Sequence, residues 1–336
     1  EQAYQKAGYS TVFVDIPEQD VVGGVVRLRV TEGRVGRLSV TGSRYYSLGR
    51  IRAQVPALAP GSVPYLPEVQ QQMGAVNRAA ADRQVTPVFR AGRTPGTVDV
   101  ELKVKDQPPL HASLEANNRY SANTSRTRAI GQLRYDNLWQ REHSLSLQYQ
   151  TAPENTDEVS VASVSYLFRS DDADNLTALY AVRSRSNVAA VGDISVIGSG
   201  DIYGVRRIVP LPPGKRYFHS LSLGADIKDF EENVVLQGAD SLQTPIRYVP
   251  FSVAYNASLP KETVTNQFGV SLNFSLRGLA DRKVDCLGQD VDQFECKRFK
   301  ARSNYLYLKA DYQRTQKLPY DMSWTAKVGG QFAGQP

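Results

Sequence analysis

The chain has 336 residues and a formal net charge of +6, and its mean hydropathy is negative. It holds no run of 18 or more apolar residues, which excludes membrane-spanning helices but not a membrane β-barrel, because half of each barrel strand is polar. Its basic residues are scattered rather than massed into a Lys/Arg block, so nucleic acid is not expected as a partner.

Residues 1–9 read as the tail of a helix ending at Gly8, with no signal-peptide core; the chain is expected to begin inside a domain. Residues 24–31 read as a strand through Val25, Val26, Leu28 and Val30, and residues 35–40 as another. Residues 46–54 and 66–82 read as helices. In the second, Val69, Met73, Val76 and Ala80 recur at helical spacing, and Pro67 stands in the first turn, where its missing N–H is tolerated. Residues 83–90 and 97–105 then read as strands. Val98, Val100, Leu102 and Val104 alternate with Asp99, Glu101 and Lys103, and Gly92 and Gly96 punctuate the hairpin. The order from Val35 to Lys105 is strand, helix, helix, strand, strand, a small α+β domain. Residues 1–33 fit the last helix and two strands of a preceding copy, a weak internal repeat.

Pro87 cannot donate to a ladder, so its strand is expected at a sheet edge. An exposed edge accepts another chain by strand addition. Gln84, Val85, Thr86, Pro87, Val88 and Phe89 are therefore the candidate binding strand, with Val69 and Met73 lining a groove beside it if they are not wholly buried. The competing reading is that Pro87 and the flanking Arg83 and Arg90 only guard the edge against aggregation.

Beyond Gln107-Pro-Pro-Leu110, helical periodicity gives way to alternation. Phe268, Val270, Leu272, Phe274 and Leu276 fall on one side of a strand, and Gln267, Gly269, Ser271, Asn273 and Ser275 on the other. About ten such residues cross a bilayer when tilted. Similar apolar faces are Leu145, Leu147, Tyr149; Leu176, Ala178, Tyr180, Val182; Leu221, Leu223, Ala225, Ile227; Phe251, Val253, Tyr255, Ala257; Leu306, Leu308, Ala310, Tyr312; and Met322, Trp324, Ala326, Val328. The charges of Asp226, Lys228, Lys309, Asp311 and Lys327 lie on the opposite, polar faces. The alternation changes phase near Ala162 and Ser163, and residues 194–208 are ambiguous. About eleven strands are expected between Leu110 and Phe332. If the first runs outward, the inward links (136–143, 170–174, 209–215, 260–263, 315–319) are short and the outward ones include the longest (231–243 and 279–302), as in outer-membrane barrels.

The two cysteines, Cys286 and Cys296, share the second of these long loops. A bridge closing about ten residues would stabilise by about 2–3 kcal/mol in the chain-entropy model and imply an oxidising compartment; two unpaired thiols are the alternative. His111, His143 and His219 are far apart, and no His-Glu-x-x-His or Cys-x-x-Cys pattern occurs. The glycines of Gly198-Ser-Gly200-Asp-Ile-Tyr-Gly204 do not match a dinucleotide fingerprint. Asp171, Asp172 and Asp174 read as a solvated turn rather than a cation site. With no Walker loop and no Gly-x-Ser-x-Gly elbow, neither an enzyme nor a bound metal or cofactor is expected.

Several stretches taken together carry a family resemblance. They are Gly24-Val-Val-Arg-Leu-Arg-Val-Thr-Glu-Gly33, the Val40-Thr-Gly42 strand end, Leu58-Ala-Pro-Gly61, the helix with Asn77, and Asp136-Asn-Leu138 followed by His143-Ser-Leu-Ser-Leu-Gln-Tyr149. In order and spacing they resemble the transporters of two-partner secretion, the ShlB/FhaC/HecB (TpsB) type, within the superfamily of outer-membrane barrels preceded by polypeptide-transport-associated (POTRA) domains. The resemblance implies two POTRA domains before a sixteen-stranded transmembrane antiparallel β-barrel. Residues 1–33 would be the C-terminal part of the first POTRA domain, 34–108 the second, and 109–336 the N-terminal part of the barrel. The chain would then be a fragment ending before the family's long sixth external loop. The implied function is an outer-membrane pore of a Gram-negative bacterium that captures an unfolded, β-helix-forming exoprotein in the periplasm and passes it to the cell surface, in contact with outer-membrane lipid. Alternatives are a factor that inserts other barrels, and the barrel domain of a lipase-fused enzyme.

Overall fold

The computed structural model describes every residue except 21–22, 121–123, 171–174, 186–187, 192–193, 198, 213, 215, 232, 235–241, 244, 277, 280–282, 287, 299 and 335–336. Asp171, Asp172 and Asp174 lie outside the described residues. The chain divides into two compact units, Glu1–Leu110 with Asp136–Glu142, and His111–Tyr135 with His143–Pro336.

In the first unit, α1 (Gln2–Lys6) precedes β1 (Val12–Asp15), which pairs antiparallel with β2 (Arg29–Glu32). The strand read over residues 24–31 is thus shorter and shifted. The four residues of β1 offer a ladder only to the four from Arg29 to Glu32, and Val25, Val26 and Leu28 stay outside it and exposed. Next come β3 (Arg34–Thr41), α2 (Leu48–Ala53), a 3-10 turn at Pro56–Leu58, α3 (Leu66–Ala79), β4 (Arg83–Ala91) and β5 (Thr97–Asp106). Ser47 caps α2 by accepting a hydrogen bond from the Arg50 N–H. Helix α3 ends at Ala79, before residue 82, because Ala80 is already extended and leads into β4.

The sheet order is β3-β5-β4. Strand β5 is central, parallel to β3 across the two helices and antiparallel to β4. Val69, Met73 and Val76 form the buried stripe of α3. They pack with Ile51, Leu58, Val85, Val100 and Leu102 into one core.

The second unit opens with β6 (Leu110–Asn117), β7 (Arg128–Leu138), β8 (His143–Thr151), β9 (Ser160–Arg169) and β10 (Leu176–Arg185). A side hairpin, β11 (Val188–Val191) and β12 (Ile194–Ile197), leads to β13 (Ser199–Pro210) and β14 (Phe218–Glu231). After β15 (Asn233–Val234) and β16 (Leu242–Gln243) come β17 (Ile246–Tyr248), β18 (Pro250–Pro260) and β19 (Val264–Ser275). The loop after β19 carries β20 (Lys283–Cys286), β21 (Gln289–Asp292) and α4 (Gln293–Lys297), and β22 (Leu306–Lys317) and β23 (Ser323–Ala333) follow. The long strands form a 12-stranded sheet in the order β23-β22-β19-β18-β14-β13-β10-β9-β8-β7-β6, with β17 beside β14. Apart from the side hairpins, each strand neighbours the next in the chain, an up-and-down meander.

The register assigns every side chain to a face. Val164, Leu179, Tyr203, Ile227, Val270 and Leu308 share one face with their apolar cross-strand partners and are exposed. A band of exposed apolar side chains across successive strands is the surface that lipid covers in a membrane barrel. At the end of this face that carries the short links, His143 meets the rings of Tyr166 and Phe168, and His219 meets Tyr217 and Tyr255. Amphipathic rings gather at that level as an interfacial girdle.

One expected face is reversed. Tyr180 pairs with Gly204, and Gly204 with Asp226. Tyr180 and Val182 therefore share the inner face with the charges, while Leu179 and Ala181 point into the apolar band. Both faces of β10 carry apolar groups, so alternation does not distinguish them. In β9, continuous pairing places Val161, Ser163 and Ser165 on the inner face and Ala162, Val164 and Tyr166 on the outer one, so the apparent change of phase is not a bulge.

Candidate functional site

Strand β4 lies at the edge of its sheet, as Pro87 requires. Its pairing with β5 is unbroken from Arg83 to Ala91. The Val85 main chain bonds outward rather than to β5. Its N–H donates to Asn77 Oδ1 at 2.7 Å, and its carbonyl accepts from Asn77 Nδ2 at 3.0 Å. In an antiparallel ladder this orientation recurs at every second residue, so the main chains of Pro87 and Phe89 also face away from β5. The edge is thus closed at Val85 by a side-chain amide, blank at Pro87 for want of an N–H, and open from the Pro87 carbonyl through Phe89.

The six candidate residues divide accordingly. Gln84, Thr86 and Phe89 are exposed, Pro87 and Val88 are half-buried, and Val85 is in the core. Val69 and Met73 are also core residues; they line no groove, because the inner side of β4 packs directly on α3. The groove lies at the other end of the strand. It has a volume of about 500 Å³, and Thr11, Phe13, Phe89, Ala91, Pro95 and Val98 are among its lining residues. Nothing in the local pattern of 83–90 points to Thr11 or Phe13, which reach the groove from β1 and the turn before it, some 75 residues earlier.

Arg83 does not guard the edge. Its side chain is 1% exposed and pairs with Glu142 at 2.6 Å, donates to the Val76 carbonyl at 2.8 Å, and stacks over the Tyr46 ring at 4.9 Å. Of the two flanking arginines only Arg90 is exposed, and it pairs with Glu101.

Glu142 belongs to the Asp136–Glu142 segment of the first unit. That segment is held by further contacts: Asn137 Nδ2 donates to the Tyr45 carbonyl at 2.9 Å, Gln140 Oε1 accepts from the Ser47 N–H at 2.9 Å, and Glu142 accepts from Gln54 at 3.1 Å. Trp139, Gln140 and Glu142 adopt left-handed backbone conformations, which contacts to distant parts of the unit must hold in place for residues with side chains. Asp106 binds the same turn from the end of β5. It accepts from the Arg44 and Tyr45 N–H groups and from Ser43 Oγ. Burial alone would raise its pKa, but these hydrogen bonds outweigh it and hold the carboxyl below its usual range.

On the inner face of the large sheet, Tyr180 donates to Asp226, Arg206 approaches Asp226 at 3.5 Å, and Arg206 donates to Ser252 at 3.2 Å. Gly204 makes this possible, since a Cβ there would lie inside the Tyr180 ring. In the loop after β19, Cys286 and Cys296 have Cα atoms 5.8 Å apart, within the span of a disulfide.

Comparison with known proteins agrees with this geometry. Residues 1–33 match the family model described as POTRA domain, ShlB-type. The chain is 29% identical over 136 residues to the outer membrane transporter CdiB of Dickeya dadantii (strain 3937), an alignment spanning 40% of this chain and 24% of that protein. CdiB from Escherichia coli superposes with a TM-score of 0.64 at 16% identity, covering 99% of this chain and 60% of that one. BamA from Haemophilus ducreyi, in a structure lacking POTRA domains 1–3, superposes at 0.54 with 12% identity, covering 99% and 63%. The chain thus spans less than two thirds of these proteins. The resemblance to the two-partner secretion transporters is borne out, and the fold is that of a POTRA-bearing β-barrel of the Gram-negative outer membrane.

Proposed function

We propose that this chain is part of an outer-membrane transporter that takes an unfolded exoprotein from the periplasm to the cell surface. Residues 1–33 are read as the end of one POTRA domain, 34–108 as a second, and 109–336 as barrel. The observation that supports capture is the open edge at Pro87–Phe89 beside the apolar groove of Phe13 and Phe89. An extended, β-prone segment adds there as a strand, with main-chain bonds giving affinity and the groove taking an alternate side chain. The sheet's polar inner face offers the segment a hydrated path, and the reading assigns no catalytic step. The two cysteines are read as a bridge on the external side, where an oxidising environment preserves it. The runner-up, insertion of other barrels, draws on the BamA likeness.

Deleting residues 34–106 from the full-length protein tests the reading. Secretion of the partner, measured in the culture medium, is expected to vanish while the barrel still inserts and shows heat-modifiable migration. Normal export by that deletion would refute the role given to the domain.

A further inference from the structure

The inner face of a water-filled barrel is expected to be polar. Here it carries an apolar patch: Val161, Val182, Ile202 and Phe230 are each less than a tenth exposed and belong to one buried cluster. All four lie on the face of Asp226, opposite the apolar band. Ala152, Val159 and Ile246 belong to the same cluster, and so does one residue of the loop after β19. Phe294 of α4 is a member of the same cluster and meets the Tyr248 ring edge-on at 6.1 Å.

Helix α4 therefore packs on β17, the strand beside β14, on the inner face. The neighbouring Gln293 is 1% exposed. Its side chain bonds both main-chain groups of Arg247, accepting from the N–H at 2.8 Å and donating to the carbonyl at 2.7 Å. This caps the edge of β17, which lies past the end of β19 and, among the described residues, pairs only with β14. Asp292 caps α4 through the Phe294 N–H, and Cys296 at the end of α4 is joined to Cys286 of the β20–β21 hairpin.

We propose that β20, β21 and α4 form a resident lid on the pore's inner wall near its outer mouth, with Phe294 as the pin and Gln293 as the latch. The lid rests on the reading of the chain as a pore. An apolar pin in a shallow socket and two hydrogen bonds hold it shut without making it permanent. A polypeptide emerging on this wall displaces α4 and takes its place against Arg247 and the socket. The Cys286–Cys296 bridge keeps the displaced lid folded, so that it returns as a unit.

Full-length transporter in planar bilayers tests the lid. Phe294→Ala is expected to raise the time-averaged conductance severalfold while heat-modifiable barrel folding is unchanged. A second variant, Tyr248→Cys with Phe294→Cys on a Cys286→Ser, Cys296→Ser background, is expected to bridge on oxidation, seen by mass spectrometry. Its conductance should be suppressed while oxidised and restored on reduction. Failure of this pair to bridge overturns the lid's position with no transport readout involved. Conductance that ignores both Phe294→Ala and the making and breaking of the bridge overturns the lid's role. A bridge that forms in a protein conducting in no variant overturns instead the pore reading beneath it.

Discussion

A single amide decides how much of the open edge is usable. Asn77 gives Val85 the two bonds that an added strand would otherwise supply. In Asn77→Ala a main-chain donor and acceptor lose their partners, and such a loss costs about 1–3 kcal/mol. The expected outcome is a matching fall in the stability of the first unit in urea unfolding, with faster hydrogen exchange at the Val85 amide. Asp106 makes the same region sensitive to acid. Its folded pKa is depressed, so its contribution to stability is full above the unfolded carboxylate value and is lost as pH falls through the folded one. Asp106→Asn is expected to flatten the acid limb of a stability-versus-pH curve and to leave its neutral slope unchanged. Neither role was legible in sequence. Asn77 was a helix residue there and Asp106 stood just past the strand read over 97–105, because their partners lie 8 and about 60 residues away.

At the scale of elements, alternation is an accurate guide where one face is small and polar. It assigned β19 correctly, and it placed β4 at an edge through Pro87. It failed in β10, where Tyr180 and Val182 are apolar yet face inward. Tyr180 bonds Asp226 there, and Val182 is buried in the apolar cluster on that face. The register makes the two faces separately testable. A Lys at the bilayer midplane on the lipid face costs about 2–4 kcal/mol. Val270→Lys is therefore expected to lower the unfolding midpoint of the liposome-inserted barrel, whereas Asn256→Lys, on the inner face level with Asp311, is expected to leave it near wild type. Equal effects from both would mean that the faces are misassigned.

For the molecule as a whole, composition and periodicity separated an α+β start from a long run of amphipathic strands, and the order and spacing of motifs carried the family likeness. That much is local: a strand's period of two and a helix's of 3.6 are written in neighbouring residues. The tertiary structure decided what depends on distant ones. It brought Phe13 and Phe89 to one groove, paired Arg83 with Glu142, and gathered Phe294 into one cluster with Val182 and Ile202. These arrangements join residues 59 to 112 positions apart, and nothing in either one's neighbourhood specifies the other. Only the pairing of strands and the closing of loops brings them together, so the amphipathic pattern was readable in advance while the groove and the lid were not.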